Sequence, residues 1–406
     1  MILRPYQEEG VEFLAARRHA LLADEMRLGK TPQAIRAACA VQARNVLVVC
    51  PAIAVQQWRQ EFTRWWTGCA PPHLIVRSYD RAKMEREQLL AEQWDVTVVD
   101  ECHFAKNPEA QRTKLVYGKD GLGWVSKRMW ALSGTPAPKN AAELWPMLRA
   151  FGVTGMTYAE FVRRYCYCKP DTIVPMGTRV SMIPELRLLL TRVMLRRKRR
   201  EVAPDMPDIS YSFLNVEPVS HADLDIPADS FSDEQLGAWL ESNPSADPED
   251  RIAVAKAKAL PLVEDIMFAL ENELYAQTVV FGWHTEPLQL VAKALQERGV
   301  QTGLITGQTG DAARQAHQTD FREGRTQVIV ANILAAGTAI DLSAASHGYF
   351  LELDWVSGNN VQAANRLVSM DKVEKVTFDV VTWLGSVDDR VQRSLLRRVK
   401  ELAILY

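Results

Sequence analysis

The chain has 406 residues, of which 47% are hydrophobic and 24% charged, and its net charge is −2. This length allows two or three domains with sizeable cores. No stretch reaches the ~18 continuous apolar residues of a membrane span, and the N-terminus lacks the basic start and apolar run of a signal peptide. Composition therefore excludes a membrane-spanning segment and predicts a cytoplasmic protein.

Charge and cysteine are unevenly distributed along the chain. Residues 221–250 contain nine carboxylates and no Lys or Arg, so the rest of the chain carries about +7. A basic working surface is therefore compatible with the slightly negative total charge. The six cysteines form no paired framework, which predicts reduced thiols.

The first predicted element is a helix that follows the run Leu3-Arg-Pro-Tyr-Gln7. The amide of Gln7 offers a donor and an acceptor, which match the edge of adenine, and Tyr6 or Arg4 could stack on the base. A glutamine in this position is also typical of a solvated helix surface. Gln7 alone therefore does not decide between the two interpretations.

A strand at 20–23 leads into Asp24-Glu-Met-Arg-Leu-Gly-Lys-Thr31, and a helix is predicted from Pro32. In such a strand-to-helix turn, backbone N–H groups converge on phosphate. Lys30 can reach the terminal phosphates and the Thr31 hydroxyl can bind Mg²⁺. Asp24 stands where the full Walker motif has Gly. This stretch alone is therefore as typical of a surface turn as of a phosphate-binding turn.

A second strand changes that balance. Val96-Thr-Val-Val99 ends in Asp100-Glu-Cys-His103. One carboxylate can hold Mg²⁺ while the next orients and deprotonates an attacking water. Together with Lys30, this pair predicts a site that binds and hydrolyses a nucleoside triphosphate.

Three further stretches of the first half keep two interpretations each. The Trp-rich helix around Trp58 is a core element or a surface that stacks on nucleic-acid bases. The turn Ser133-Gly-Thr135 after the next strand relays the state of the phosphate site, or is an ordinary turn. A helix is predicted over 184–200, and the six cations of 192–200 either contact nucleic-acid phosphates or form a solvated face.

The second half repeats the rhythm of strands and helices, which predicts an α/β fold with functional loops at the carboxyl ends of parallel strands. Strands are predicted near Thr278, Thr302, Gln327, Gly348 and Val376. The predicted domains are a first lobe over 1–150, a helical insertion and linker over 151–205, an acidic irregular segment with a helical insertion over 206–274, a second lobe over 275–385 and a C-terminal helix over 386–406.

The order of these motifs resembles that of superfamily-two helicase-like ATPases, most closely their Swi/Snf-related branch. The resemblance rests on the N-terminal Gln motif, the Gly-Lys-Thr and Asp-Glu-Cys-His motifs, the Ser-Gly-Thr-Pro turn and Gln362-Ala-Ala-Asn-Arg366, with Phe161-Val-Arg-Arg-Tyr-Cys166 and Met194-Leu-Arg-Arg197 as support. It covers nearly the whole chain. The second half looks similar to the annealing-helicase type.

The resemblance implies two RecA-like parallel-sheet lobes with helical insertions, and ATP and Mg²⁺ as cofactors. It implies that Lys30, Asp100, Glu101 and Arg366 are catalytic, with Thr31 and Asp100 on the metal. The implied nucleotide contacts are Arg4, Tyr6, Gln7, Asp24, Glu25, Met26, Arg27, Leu28, Gly29, Lys30, Thr31, Gly337 and Asp341. Ser133, Thr135, Arg196 and Arg197 would contact nucleic acid or couple it to the nucleotide.

The chain departs from the family pattern at three places. Arg27 stands where the family has Gly, Ser369 stands where it has a second arginine, and Met370-Asp-Lys372 stands where it has Ile-Gly-Gln. An arginine that stabilises the transferring phosphate is worth ~10³ or more in rate. Its replacement leaves open whether the chain is a fully active ATPase.

Three functions are therefore compared. The preferred hypothesis is an ATP-driven translocase on double-stranded DNA, with branched or replication-related DNA as a special case. The alternatives are a weak or inactive ATPase that acts as a nucleotide-gated DNA-binding module, and an RNA-directed helicase. No membrane partner is expected, and a monomer of bacterial or viral origin that relies on a targeting partner is predicted.

Overall fold

The computed structural model describes residues 2–52, 54–68, 70–168, 171–220, 222, 224–226, 228–243, 245–336, 340–369 and 371–405. The chain forms two compact units, one ending at Ala203 and the other running from Pro204 to Leu405. Each unit is built on a sheet of parallel strands with helices, so the α/β class expected from the sequence is confirmed. In the described ranges, no helix has the length and apolar character to cross a membrane.

The sheet of the first unit has six parallel strands. The strands of this unit are β1 (His19–Leu22), β2 (Asn45–Cys50), β3 (His73–Ser78), β4 (Trp94–Asp100), β5 (Ser126–Leu132), β6 (Cys166–Cys168), β7 (Pro175–Thr178) and β8 (Met194–Leu195). The order in the sheet is β3-β2-β4-β5-β1-β8, while β6 and β7 form a separate antiparallel pair.

In the described part of this unit, eleven α-helices accompany these strands. They are α1 (Pro5–Ala15), α2 (Lys30–Ala40), α3 (Ala54–Trp65), α4 (Tyr79–Met84), α5 (Arg86–Ala91), α6 (Gln111–Tyr117), α7 (Leu122–Val125), α8 (Trp145–Ala150), α9 (Tyr158–Tyr165), α10 (Ile183–Leu190) and α11 (Arg199–Val202).

The first sheet is buried on both faces. Val46 and Val48 of β2 pack into one core with helices α2 and α3, whereas Leu47 and Val49 pack into a second core on the other face. Strands covered on both sides read as continuous hydrophobic runs, which is what the sequence contains here. Because all strands are parallel, β1, β4 and β5 end at the same edge, and Leu132 is the partner of both Leu22 and Asp100.

The helix predicted over 184–200 is wrong for its second half. Helix α10 ends at Leu190, and Met194 and Leu195 instead form β8 beside β1. The backbone N–H of Leu21 donates to the Val193 carbonyl at 2.7 Å, and that of Ala23 donates to Leu195 at 2.8 Å. Pairing satisfies the otherwise unpaired edge of β1, and this tertiary gain outweighs local helix propensity.

The second unit contains strands β9 (Ile209–Asn215), β10 (Thr278–Gly282), β11 (Thr302–Ile305), β12 (Val328–Asn332), β13 (His347–Phe350) and β14 (Val376–Thr382). All are parallel, in the order β11-β12-β10-β13-β14-β9. Its α-helices are α12 (Asp233–Ser242), α13 (Pro248–Glu271), α14 (Thr285–Glu297), α15 (Asp311–Arg322), α16 (Ile333–Ala336), α17 (Ser357–Ala364) and α18 (Val387–Leu405).

The irregular segment expected over 206–274 is partly ordered. Residues Ile209–Asn215 form the edge strand β9, and the acidic stretch contains helix α12. Strand β9 alternates half-buried and exposed residues, so its apolar signal is weak in the sequence. Helix α12 packs against α18, where Arg397 and Arg398 of α18 pair with Asp233 and Glu241 at 2.9 and 2.6 Å. Asp233 and Glu241, two of the nine carboxylates of residues 221–250, are therefore paired within their own unit.

Candidate nucleotide-binding site

The loop after β1 has the geometry of an anion site. Helix α2 begins at Lys30, and its N-cap Gly29 has a φ of 71°. The first N–H groups of a helix have no partner within the helix and favour negative charge, so this turn suits phosphate. Arg27 also has a positive φ, 69°, in a region that favours glycine. The arginine found at this position is therefore held in a strained backbone conformation.

Lys30 lies within this loop. Its Nζ donates to the carbonyl oxygens of Asp24 and Glu25 at 2.8 and 3.4 Å. Burial lowers the pKa of Lys30, while the carboxylates of Glu101, Asp24 and Asp100 act in the opposite direction. The ammonium group therefore lies among acidic groups that compensate its desolvation, next to the turn that suits phosphate.

The predicted carboxylate pair follows β4 directly. Asp100 is the last residue of the strand, and Glu101 has a φ of 46°. The backbone N–H of Glu101 donates to Asp100 Oδ1 at 3.0 Å. Burial and the charge of Glu101 raise the pKa of Asp100 to about 7, while Trp58 and Lys30 act to lower it. The structure thus brings Lys30, Asp100 and Glu101 together at one edge of the sheet.

The turn after β5 contacts the same carboxylate. Ser133 Oγ lies 3.4 Å from Glu101 Oε2 and 3.0 Å from His103 Nδ1, and it accepts the backbone N–H of Thr135 at 3.1 Å. Burial, together with nearby Lys106, lowers the pKa of His103 to about 3, so its ring is neutral. Glu101, His103 and the Ser133 turn therefore form one hydrogen-bonded group.

Gly134 lets this turn approach the phosphate loop. A Cβ at this position would lie 2.7 Å from Met26 Cγ and 3.5 Å from Lys30 Nζ. Contacts below 3.0 Å require a shift of the neighbours. The close approach of the two loops therefore depends on glycine.

The N-terminal Gln motif holds the phosphate loop from the other side. Gln7 Nε2 and the Tyr6 hydroxyl both donate to the Leu28 carbonyl at 3.2 Å, and Gln7 Oε1 accepts the N–H of Arg4 at 2.9 Å. The side chains of Tyr6, Gln7 and Leu28 are buried. These contacts tie the motif to the loop, while recognition of adenine by Gln7 stays a prediction.

The burial of Arg197 argues against the direct nucleic-acid contact that the resemblance implied, while the coupling role stays a prediction. It is only 7% exposed, and its guanidinium donates to both carboxylate oxygens of Asp24, which is 0% exposed, at 3.0 and 2.5 Å. It also donates to Gln33 Oε1 at 2.8 Å and to the Tyr6 carbonyl. With its donors directed inward, Arg197 is not available to a DNA phosphate. The Asp24 side chain is likewise a buried ion-pair partner. The nucleotide contact implied for this residue stays a prediction.

Neighbouring cations of this segment also contact the nucleotide loop. Arg196 Nη1 donates to the carbonyl oxygens of Ala23 and Gly134 at 3.0 and 3.2 Å. Glu25 Oε2 accepts the backbone N–H of Arg199 at 2.6 Å. Arg196, Arg197 and Arg199, three of the six cations of 192–200, thus contact the nucleotide loop, while Arg192 and Arg200 are exposed.

Replacing Gly10 by Ala should destabilise the first unit by about 1–3 kcal/mol, the usual cost of overpacking. A Cβ there would lie 1.8 Å from Gln33 Oε1 and 2.8 Å from Arg197 Nη2, so the buried network would have to open. Thermal unfolding measures the effect. Gly123→Ala is the control, because its Cβ would meet only Met129 at 3.8 Å. Equal melting temperatures of the two variants would contradict the expectation.

Two predicted residues of the second unit, Asp341 and Arg366, lie at the loop that precedes β13 and just after α17. Asp341 Oδ1 accepts the N–H of Ser343 at 3.2 Å, and the N–H of Leu342 donates to the Arg366 carbonyl at 3.0 Å. Asp341 and Arg366 are therefore brought close through this backbone bond. Gly337 lies outside the described residues. The roles of all three stay predictions.

Lys372, which departs from the family pattern, is used inside the second unit. Its Nζ donates to the carbonyls of Ser343 and Ala345 at 2.7 and 2.5 Å. Burial lowers the pKa of Lys372. This side chain stabilises the turn beside Asp341, a role that no sequence pattern indicated.

The residues of the first unit fit magnesium and a triphosphate. The described ranges contain no group of three or more His, Cys, Asp or Glu side chains that could enclose a metal. Mg²⁺ is usually held by one or two carboxylates, substrate phosphates and waters, so Asp100 with the Thr31 hydroxyl suits it. Sequence reasoning missed three residues that contact Asp100 or Glu101: Trp58, Tyr79 and His103. Only His103 had a signal, as the last residue of its motif.

Family models match almost all of this framework. The SNF2-related domain matches residues 6–72 and 70–223, and the helicase conserved C-terminal domain matches residues 259–370. The chain belongs to the SNF2-related family. This is a family of helicase-like ATPases, as the resemblance implied. The SNF2-related match covers the first unit and the start of the second, and the helicase C-terminal match lies within the second unit.

Two curated relatives illustrate the similarity. The SWI/SNF-related matrix-associated actin-dependent regulator of chromatin subfamily A-like protein 1 of Xenopus laevis is 29% identical over 98% of this chain and 44% of its own length. The DNA annealing helicase and endonuclease ZRANB3 of Bos taurus is 26% identical over 98% of this chain and 40% of its own length. The chain thus spans less than half of these relatives.

A solved structure is also similar. The Sulfolobus solfataricus SWI2/SNF2 ATPase core in complex with dsDNA aligns over 99% of this chain and 92% of its own, with a TM-score of 0.46 and 19% identity.

Proposed function

We propose that the chain is an ATP-dependent translocase that acts on double-stranded DNA. The observation that carries the proposal is the group formed by Lys30, Asp100, Glu101 and Ser133 in a chain of the SNF2-related family. Lys30 would bind terminal phosphate oxygens, and Asp100 with Thr31 would hold Mg²⁺. Bound Mg²⁺ supplies neutralisation of the charge that develops on the phosphates.

Glu101 has the geometry of a general base in this proposal. Its Oε2 lies within 3.4 Å of both Ser133 Oγ and His103 Nδ1. Glu101 would accept the proton of the attacking water, and the Ser133–Thr135 turn would sense its state. In this proposal the same turn also contacts bound DNA, which couples ATP hydrolysis to movement on DNA.

The name of the ZRANB3 relative, a DNA annealing helicase and endonuclease, supports DNA as the substrate. Branched or replication-related DNA is the finer part of the proposal. A monomer in the cytoplasm that depends on a targeting partner remains part of the proposal.

Steady-state ATP hydrolysis should be stimulated most by duplex DNA when four conditions are compared: no nucleic acid, duplex DNA, single-stranded DNA and RNA. Lys30→Ala is the control for the site and should abolish the stimulated rate. Stimulation by RNA above duplex DNA would favour the RNA-directed helicase and contradict the proposal.

The substitution pattern at Ser369 favours one second candidate, a nucleotide-gated DNA-binding module. In that case wild type and Lys30→Ala would hydrolyse ATP equally slowly, yet the DNA affinity of the wild type would still change when nucleotide is added.

Arg366→Ala tests a separate prediction. Unchanged DNA-stimulated hydrolysis in this variant would reject the catalytic role predicted for Arg366.

A further inference from the structure

Trp58 donates a hydrogen bond to the carboxylate that the proposed site uses for metal. Its Nε1 lies 2.7 Å from Asp100 Oδ2, and the indole is 2% exposed within the core between α3 and the sheet. The other oxygen, Asp100 Oδ1, accepts the backbone N–H of Glu101 at 3.0 Å. Each carboxylate oxygen thus has one fixed donor, which sets the plane of the group.

A tyrosine fixes the backbone of the same pair. The hydroxyl of Tyr79, at the start of α4, donates to the carbonyl oxygens of Asp100 and Glu101 at 2.8 and 3.3 Å. This holds the peptide where Glu101 takes its positive φ. Asp100 therefore receives its orientation from two buried aromatic side chains, one at the carboxylate and one at the backbone.

An indole is well suited to orient a metal-binding carboxylate. Its N–H is a donor only and carries no charge, so it neither titrates nor repels a cation. A lysine or arginine at the same distance would compete with the metal for the carboxylate. Hydrogen-bond partners behind a metal ligand typically change metal affinity by about 10–100-fold.

We propose that Trp58 is a positioning residue for Mg²⁺ in the nucleotide complex: its indole N–H orients Asp100, and it takes no part in the chemistry itself. The inference rests on the proposed role of Asp100 at the metal.

The test measures binding, without DNA, of a fluorescent ATP analogue to Trp58→Phe over a range of Mg²⁺ concentrations. The concentration of Mg²⁺ needed for half-maximal binding should rise by about 10–100-fold, while binding in the absence of metal stays at the wild-type level. Trp130→Phe is the matched control, because Trp130 is buried in the same core and its Nε1 donates to the Arg17 carbonyl at 3.2 Å.

A second variant guards against a simple packing defect. Benzothienylalanine at position 58, introduced by stop-codon suppression, keeps the shape of the indole and lacks only the N–H. It should reproduce the Mg²⁺ shift with a wild-type melting temperature. A Mg²⁺ response equal to that of Trp130→Phe in both position-58 variants would overturn the inference. Because no DNA is present, that result would leave the proposed translocase function to its own assay.

Discussion

Replacing Glu101 by Gln should lower the turnover of ATP hydrolysis by about 10²–10⁴-fold, the usual contribution of a general base. Gln has nearly the same shape as Glu but cannot accept the proton of the attacking water. The side chain would stay beside Ser133 and His103, both now within 3.4 Å of the carboxylate. The two measurements are the rate of ATP hydrolysis in the presence of duplex DNA and the affinity for a nucleotide analogue.

The comparison of rate and affinity gives this prediction its specificity. Loss of a group that acts in the transition state lowers turnover, while ground-state binding of the nucleotide is retained. Glu109→Gln is the control, since Glu109 is exposed and pairs only with Lys114 among its described ion pairs. If Glu101→Gln hydrolyses ATP at the rate of this control, Glu101 is not the base.

Replacing Arg197 by Met should destabilise the first unit by about 3–5 kcal/mol, since one partner of a buried ion pair is removed. Asp24 would remain as a completely buried carboxylate without its guanidinium. The contact with the Gln33 amide oxygen and the Tyr6 carbonyl would also be lost. Calorimetry of the full chain is suitable, because the two units need not unfold in one transition.

Two variants test the physical reason for this loss. Arg197→Met combined with Asp24→Leu removes the unpaired charge and should recover much of the stability. Arg200→Met lies on the same segment but is exposed, so its effect should stay within about 0.5 kcal/mol. Equal stability of Arg197→Met and Arg200→Met would contradict the buried network.

Arg197→Met also tests whether Arg197 contacts DNA. Each lysine or arginine that contacts a phosphate adds to the salt dependence of DNA affinity. Because the donors of Arg197 are directed into the protein, Arg197→Met should leave that salt dependence unchanged under conditions where the variant is folded. A weaker salt dependence of DNA affinity in Arg197→Met would instead support the phosphate contact predicted from the sequence.

The basic segment over 192–200 shows where sequence patterns fail. Six cations in nine residues are typical of an exposed strip. Arg197 is instead buried because Asp24 and Gln33, distant in the sequence, offer it acceptors. Helix propensity likewise misplaced Met194 and Leu195, whose backbone completes the edge of the first sheet. Neither outcome can be obtained from local composition.

Trp58 illustrates a different limit. Its hydrophobic surroundings made core packing the natural interpretation, and the residue does lie in the core. The bond from its Nε1 to Asp100 depends on how α3 crosses the end of β4. Trp58 therefore packs in the core and also orients a carboxylate of the site. Only its apolar character is visible as a pattern in the sequence.

The sequence by itself determined the α/β class and the edge where Lys30, Asp100 and Glu101 meet. It did so because short motifs directly follow apolar strands, and the carboxyl ends of parallel strands share one edge. Tertiary structure alone decided which polar groups support that site, namely Trp58 and Arg197. Burying a donor or a charge is favourable only where a partner from another part of the chain is already in place, and such partners are set by packing.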